Sequence, residues 1–481
     1  MKLSRSSRIG RSALASQVIV WGVVPLLVVL CVPLVGHAQT KETLPGAALS
    51  PANASMPLGG PLFIVPFKYL PPSGTNGSPE ADVPQPKRKP EQQRIIDLHA
   101  EGNYLAVGTE GLALMAKEKQ EEDLQLIVAN SLAWTGRTKE AVIAYQGLVN
   151  GKYANEANVG LANLQRWGGR DDLAAQIYRT VLSVTSTNAD ALDGLELATR
   201  ELSPRTTFSV GGSSDSFEVQ SRSNTVNHRW RDKSGSTIME IETSGVKNWL
   251  PDTEARQQDL TLRYENLALD LKPSVELSMP TASNRTLYGS VRIKLAEDAV
   301  SLSAGRLNWG RMAANPNALT LGLAASHLGA TATYGFTLGT LRGRVDYYDI
   351  TDNNRIISTS VHLASNWRPL GNNFRPFVGV QTRTAKFTSP NYWSPEMGSG
   401  TLYAGLLGEW GSADWNFYTS VQSGARLYGD AGRSWAISGG GKRWLSDDLA
   451  LSMTFWAMES VRDSAAYKAQ SASFSLEKLW R

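Results

Sequence analysis

Charged and tyrosine side chains occur at alternate positions in several segments of the C-terminal part of the chain. In segment 341–347, Arg342, Arg344 and Asp346 are separated by apolar or small residues. Successive side chains of a strand point to opposite faces, so these three charges share one face. An Arg or Lys at the centre of a bilayer costs about 2 to 4 kcal/mol, so we expect the face to line a hydrated interior. The residues assigned to this interior are Arg292, Lys294, Arg342, Arg344, Asp346, Arg375, Arg383, Tyr403, Glu409 and Tyr418.

The same alternation adds other polar residues to this interior: Glu240, Glu242, Arg263, Glu265, Glu276, Tyr288, Tyr348 and Glu477. Tyrosines among charges suit a hydrated sugar chain, because sugar rings stack on aromatic rings and their hydroxyls exchange hydrogen bonds with charged groups. The alternative is that these charges pair with one another and plug the interior.

Few residues are spaced for catalysis or metal binding. His99, His228, His327 and His362 share no metal-ligand spacing, and the single cysteine, Cys31, lies in an N-terminal apolar stretch. The chain has no Gly-x-Ser-x-Gly, phosphate-loop or His-Glu-x-x-His motif. We therefore expect no catalytic residue, metal or cofactor. The formal charge of +4 comes from scattered residues and does not indicate a nucleic-acid partner.

The segments that position the charges predict an antiparallel transmembrane β-barrel over residues 203–481. Stretches of about ten alternating residues separated by Gly, Asn, Asp and Ser turns are typical of such strands, and counting them gives about 16. Segments 287–295, 319–324 and 415–422 show the alternation clearly, with Trp415, Phe417 and Val421 on the predicted lipid face. Aromatic residues near segment ends predict an interfacial girdle: Trp309, Tyr347, Trp410, Trp444, Trp456 and Trp480.

Two segments precede the folded part. Residues 1–38 have basic residues, an apolar run and small residues at Gly36 and Ala38, which predict a secretory signal peptide; an uncleaved anchor is the alternative. Residues 39–90 contain half of the chain's 22 prolines and are interpreted as an extended linker.

Residues 91–202 predict a helical domain with an internal repeat. Gly136, Ala141 and Tyr145 recur 33 residues later as Gly169, Ala174 and Tyr178, and Ala129 recurs as Ala162. This pattern resembles the tetratricopeptide repeat, in which small residues let paired helices approach and the aromatic fills the gap to the next pair. Gly102 indicates a weaker earlier copy, and 189–202 is predicted to be a final solvating helix. Such stacks usually bind proteins; a rigid spacer is the alternative.

The order of signal peptide, helical repeats and barrel resembles the outer-membrane exporters of bacterial exopolysaccharides, such as the cellulose-synthase outer-membrane subunit and the poly-N-acetylglucosamine porin. Segment 391–395, Asn-Tyr-Trp-Ser-Pro, is similar to an aromatic-Ser-Pro element that precedes a late barrel strand in those proteins. The resemblance implies a polysaccharide channel in the outer membrane, contacting its lipids. It also implies periplasmic repeats that recruit proteins of a synthase complex.

Two other functions remain open at this point. The first is a general porin or structural outer-membrane barrel. The second is a barrel enzyme that acts on lipid or polysaccharide, because distant strands can assemble a site that sequence spacing does not reveal.

Overall fold

The computed structural model describes residues 88–281, 286–295, 298–336, 339–365, 373–411, 414–462 and 465–481. The predicted signal peptide, and the predicted linker up to residue 87, lie outside the described residues.

Residues 90–202 form helices joined by short turns. Their bounds are α1 Pro90–Ala100, α2 Tyr104–Lys117, α3 Glu122–Trp134, α4 Thr138–Gln146, α5 Ala154–Trp167, α6 Asp171–Val184 and α7 Ala189–Leu202. The turns at Gly102, Gly136 and Gly169 have φ of 75°, 78° and 78°, a left-handed conformation that glycine adopts without a Cβ clash. Of the helices in the described part of the chain, none is both long and apolar enough to cross a bilayer.

The helix pairs repeat one set of contacts. Tyr145 of α4 lies on Gly160 of α5, and Tyr178 of α6 lies on Gly194 of α7; a Cβ on either glycine would be 2.3 Å from the tyrosine ring. The two hydroxyls donate to Asn130 and Asn163, both at 2.7 Å. The four alanines of the sequence repeat, Ala129, Ala141, Ala162 and Ala174, are fully buried. Glycine in one helix therefore provides the space that the preceding tyrosine fills, and burial raises the pKa of both phenols.

Residues 205–479 form one closed antiparallel barrel of 16 strands, which confirms the predicted architecture. Each strand pairs with its neighbours in sequence, and β1 closes the barrel against β16, from Arg205 opposite Leu479 to Asp215 opposite Ala469. The strands are β1 Arg205–Asp215, β2 Gln220–Arg231, β3 Thr237–Leu250, β4 Thr253–Asn266, β5 Ser274–Pro280, β6 Tyr288–Leu295, β7 Val300–Asn308, β8 Ala324–Phe336, β9 Gly339–Ile350, β10 Arg355–Ser365, β11 Phe374–Ala385, β12 Ser399–Gly411, β13 Trp415–Gly429, β14 Ser434–Ser446, β15 Leu449–Arg462 and β16 Ala465–Leu479.

The outer face of the barrel is apolar and exposed. In β13, Trp415, Phe417 and Val421 are 45%, 40% and 52% exposed, whereas Ser420 and Gln422, on either side of Val421, are buried. A soluble protein would bury such a band. A closed barrel leaves no strand edge unpaired in hydrocarbon, so this exterior fits a bilayer. The structure therefore places the chain among outer-membrane-type barrels.

Three sequence predictions are wrong in detail. Segment 319–324 is not a strand: it begins in a short helix, α9 (Pro316–Thr320), and reaches β8 only at Ala324. A second short helix, α8 (Trp309–Met312), precedes α9. Trp309 and Trp456 are not girdle residues: Trp309 is fully buried, and Trp456 packs with inward-facing Met458 and Tyr467. Helix α7 is not simply a solvating helix, because it also contacts the barrel. Alternation over six residues cannot distinguish a lipid-facing strand from a loop folded inward.

Candidate functional site in the barrel lumen

The helices contact one end of the barrel, here called the near end, where β1 begins and β16 finishes. Arg231 of β2 donates to the Asp171 carboxylate at 2.8 Å and to the Gly169 carbonyl at 3.0 Å. Both side chains of this ion pair are about 95% buried. Arg200 of α7 lies 4.6 Å from the Trp444 ring and 3.4 Å from the Asp414 carboxylate. A buried ion pair and a partly exposed one thus fix the last helix pair against the barrel.

Ion pairs cross the strands on the first side of the lumen. Arg263 of β4 donates to Glu242 of β3 at 2.8 Å and to Glu276 of β5 at 2.7 Å, and Glu240 lies 3.6 Å away. These pairs stand on adjacent strands, with Arg263 in register with both Glu240 and Glu276. The register of the sheet therefore positions each cation between anions, which offsets the cost of removing these charges from water.

Several of the sequence-predicted lumen residues also form pairs. Lys294 lies 3.1 Å from Glu265, and Arg375 pairs with Glu409. Arg344 contacts Asp346 at 2.6 Å, and the second partner of Asp346 is His327 at 2.9 Å. Pairing of lumen charges, one of the two arrangements considered from the sequence, is thus observed for these residues.

Other predicted residues lie apart from these pairs. Arg292 is exposed and has no carboxylate within 4.0 Å among the described residues. Arg342 is opposite His362 in the register of β9 and β10. Tyr418 lies beside Gly440, where a Cβ would be 3.0 Å from its ring. The structure therefore does not gather the predicted residues into one cluster; it distributes them around the lumen.

An aromatic group with unpaired polar atoms occupies the wall formed by β10, β11 and β12. His362, Gly379 and Tyr403 are in register across these strands. Because Gly379 has no side chain, Tyr403 extends over it towards His362, with ring centroids 6.4 Å apart. Phe377 lies 5.3 Å from His362. Both His362 nitrogens and the Tyr403 hydroxyl are buried without a hydrogen-bond partner among the described residues.

Two loops at the opposite end, the far end, fold against the inner wall. The first, residues 309–323, contains α8 and α9. Arg311 pairs with the buried Asp259 of β4 and donates to Ser244 of β3 at 2.9 Å. Leu319 packs on Val246 and Ala255 of the same strands. This loop therefore reaches from β7 and β8 to strands β3 and β4.

The second loop, residues 386–398, joins β11 to β12 and reaches towards β15, away from β3 and β4. Tyr392 contacts Trp309 of the first loop at 5.4 Å between ring centroids and donates to Asp352 at 2.6 Å. Trp393 lies 5.3 Å from the Arg383 guanidinium of β11 and 4.7 Å from that of Arg462 on β15. We call these two loops the loop belt. It is continuous through Trp309 and Tyr392 and lines the far end from β3 to β15.

Three of these residues are absent from the predicted lumen set: Arg311, His362 and Arg462. None stands in a clear alternating pattern with other charges, and their partners are distant in sequence. Segment 391–395 did give a signal: its Tyr392 joins the two loops through Trp309, and its Trp393 contacts Arg383 and Arg462 of the barrel wall. Among the described residues, no group of three or more His, Cys, Asp or Glu is placed to hold a metal ion.

No family model matches the chain, and no curated protein matches it. Among solved structures it is similar to a bacterial polysaccharide outer membrane secretin, with 10% identity, a TM-score of 0.45, and coverage of 57% of this chain and 98% of that one. It is also similar to CdiB from Acinetobacter baumannii (11%, TM-score 0.36, coverage 57% and 60%) and to OccK11 from Pseudomonas aeruginosa (11%, TM-score 0.34, coverage 58% and 96%). Similarities this low decide nothing about substrate. From its own strands, the chain is a polar-lined barrel of the outer-membrane type with helices fixed to one end.

Proposed function

We propose that the chain is an outer-membrane channel for export of a secreted polysaccharide, and that its helices recruit periplasmic proteins of the synthase complex. The observation that supports this most directly is the buried attachment of the helices to the near end through Arg231 and Asp171. A barrel that only admits small solutes has no need of a rigidly attached protein-binding domain. A polymer channel does, because the growing chain must be delivered to its entrance.

Loop lengths support a periplasmic position for the helices. Outer-membrane barrels have short periplasmic turns and longer extracellular loops. The near end has short turns, such as 447–448 between β14 and β15, whereas the far end has loops 309–323 and 386–398. The near end is therefore assigned to the periplasm, together with the helices that contact it.

The wall at His362 and Tyr403 supports a sugar as the substrate. A neutral imidazole has one donor and one acceptor, and a phenol hydroxyl acts as both. Sugar hydroxyls match this combination, since each can also donate and accept. Aromatic faces such as Phe377 and Tyr403 complement the apolar C–H face of a sugar ring.

The test is deletion of the chain in its natural host, with separate measurement of polymer inside and outside the cell. Export predicts loss of secreted polymer with intact intracellular synthesis. A matched strain that produces only the barrel, residues 203–481 behind the native 1–38 segment, tests the helices. Secretion should fail in it although heat-modifiable migration shows a folded barrel.

Two outcomes would favour the other functions. Normal secretion in the deletion strain, with reduced uptake of small solutes, would support a general porin. Normal secretion of a polymer or lipid with altered structure would support a barrel enzyme. Either result would contradict polysaccharide export.

A further inference from the structure

Arg383 is a buried cation with no carboxylate partner in the described part of the chain. Its side chain lies on β11 at the far end, and the residue is 3% exposed. It donates to the Ser358 hydroxyl at 3.4 Å and to the Trp393 carbonyl at 3.3 Å, and its Nε has no acceptor among the described residues. No carboxylate of the described chain lies within 4.0 Å of it. A buried charge that lacks a counter-ion is costly, so its retention needs an explanation.

Three other largely buried arginines show the usual arrangement. Arg375, Arg231 and Arg311 each pair with a buried carboxylate: Glu409, Asp171 and Asp259, respectively. Arg383 differs from all of them, because hydroxyl, carbonyl and aromatic groups surround it in place of a carboxylate. These neutral groups offset only part of the cost of burial, since an interaction with an aromatic face contributes less than a desolvated ion pair can.

A second cation, Arg462, and the partly exposed ring of Trp393 lie next to Arg383. Arg462 comes from β15, four strands away, and its guanidinium carbon lies 4.7 Å from the Trp393 ring that also covers Arg383. The Trp393 indole N–H, a donor, likewise has no acceptor among the described residues. The two groups here that lack an acceptor among the described residues, Arg383 Nε and the Trp393 indole N–H, are therefore both donors. Trp393 belongs to a loop, not to a strand, so its ring can move without disrupting the barrel wall.

We propose that Arg383, with Arg462 beside it, binds carboxylate groups of acidic sugar residues as the exported polymer passes the far end, and that Trp393 covers the site when no polymer is present. This inference rests on the proposed polysaccharide export and specifies the class of polymer. A guanidinium offers paired N–H donors whose geometry matches a carboxylate. A neutral sugar would leave the charge of Arg383 uncompensated. Because the two cations are contributed by separate strands, successive carboxylates can be exchanged, as conduction requires.

The experiment uses the full-length protein in planar bilayers, with the ion current measured as oligosaccharide is added. Hexagalacturonate is the acidic probe and cellohexaose, at the same concentration, is the neutral one. In wild type we expect hexagalacturonate to reduce the current at concentrations at least about tenfold lower than cellohexaose, since a charge-assisted hydrogen bond contributes at least this factor.

Three variants test the role of Arg383. Arg383→Gln should weaken the hexagalacturonate effect by roughly tenfold or more and leave the cellohexaose effect unchanged. Arg383→Lys keeps the charge and should retain a large part of the effect, which a purely structural role in holding the loop would not predict. The matched control is Arg355→Gln, which removes one charge at the same end from a half-exposed pair with Asp349. It should leave both probes unaffected.

Equal current reduction by both probes in wild type would overturn the carboxylate site and leave polysaccharide export standing, with a neutral polymer. If Arg383→Gln and Arg355→Gln weaken the hexagalacturonate effect equally, the carboxylate site is overturned in favour of a general effect of charge. Loss of the effect in both Gln and Lys variants would assign Arg383 to loop packing. If Arg383→Gln fails to give a folded, heat-modifiable barrel, loss of the hexagalacturonate effect in Arg383→Lys assigns Arg383 to loop packing, and its loss in Arg355→Gln assigns the effect to charge in general. Failure of export itself would be seen separately, in the deletion strain.

Discussion

Arg231 of the barrel and Asp171 of helix α6 form a buried ion pair at 2.8 Å, and it is the most thoroughly desolvated contact between the helices and the strands. Removing one partner of a buried pair leaves the other charge without compensation, at a cost of about 3 to 5 kcal/mol. We expect Asp171→Asn to release the helices from the near end and to expose the junction at Ser203 and Pro204 to protease. The measurement is the rate of limited proteolysis of the full chain in detergent.

The matched control is Glu110→Gln, which breaks the exposed pair between Arg94 and Glu110 within the helices. Exposed pairs contribute about 0 to 1 kcal/mol, so its proteolysis rate should equal that of wild type. If Asp171→Asn is equally resistant to protease, other contacts hold the junction.

Gly160→Ala should destabilise the helices, although alanine is about 1 kcal/mol better than glycine in an ordinary helix. The new Cβ would lie 2.3 Å from the Tyr145 ring, and overpacking typically costs about 1 to 3 kcal/mol. The helical signal of the full chain at 222 nm should therefore be lost at lower temperature. Gly147→Ala is the control, because its Cβ would meet no atom closer than 3.4 Å. A Gly160→Ala chain as stable as wild type would contradict the observed packing.

Trp393→Ala should increase single-channel conductance. The substitution removes the ring that joins Arg383 to Arg462 and thereby opens the loop belt at the far end. Trp415→Ala removes a comparable ring from the lipid-facing side of β13 and should leave conductance unchanged. Equal conductance in wild type and Trp393→Ala would mean that the loop belt does not limit flow.

Neutralising Arg342, Arg344 and Arg383 together, each to glutamine, should shift ion selectivity towards cations. The variant removes three positive charges and leaves Asp346 without its Arg344 partner, so the net charge of the lumen becomes more negative. Insertion should be unchanged because no lipid-facing side chain is altered. The reversal potential in a salt gradient measures the shift. Arg256→Gln, an exposed residue of β4, is the control, and an unchanged reversal potential in the triple variant would remove these arginines from the ion pathway.

The helices should be less stable at acidic pH because of His99. Burial lowers the pKa of this imidazole, and its ring lies 5.4 Å from Tyr104 and 5.8 Å from Trp134. The unfolded chain therefore binds this proton more readily than the folded chain does. The stability contributed by the buried neutral His99 is fully present above the unfolded pKa of about 6.5. It is lost as pH falls from there towards the lower pKa of the folded state. Thermal unfolding at 222 nm between pH 7.5 and 5 checks this, and His99→Phe should reduce the dependence on pH.

The sequence by itself determined the barrel and the repeated helices. The side chains of a strand alternate with a period of two, so the polar and apolar faces of 415–422 could be assigned without knowing any partner strand. The recurrence of Gly136 and Tyr145 at Gly169 and Tyr178 similarly reflects contacts that each helix pair repeats. Strand alternation and the helix repeat both arise from residues close together in the sequence, so local sequence patterns are enough to predict them.

Only the tertiary structure decided where the loops lie and what each charge contacts. Segment 319–324 alternates as a strand does, yet it begins in the short helix α9 against the inner wall, because Leu319 and Arg311 contact β3 and β4. Arg383 and Arg375 stand eight residues apart on the same strand and face the same lumen. Arg375 has a carboxylate from β12 within reach, whereas Arg383 has Trp393 of the loop belt. The counter-ion of each charge comes from another strand or loop, so barrel closure and loop packing decide which charges pair. Alternation along a single strand carries no information about these partners.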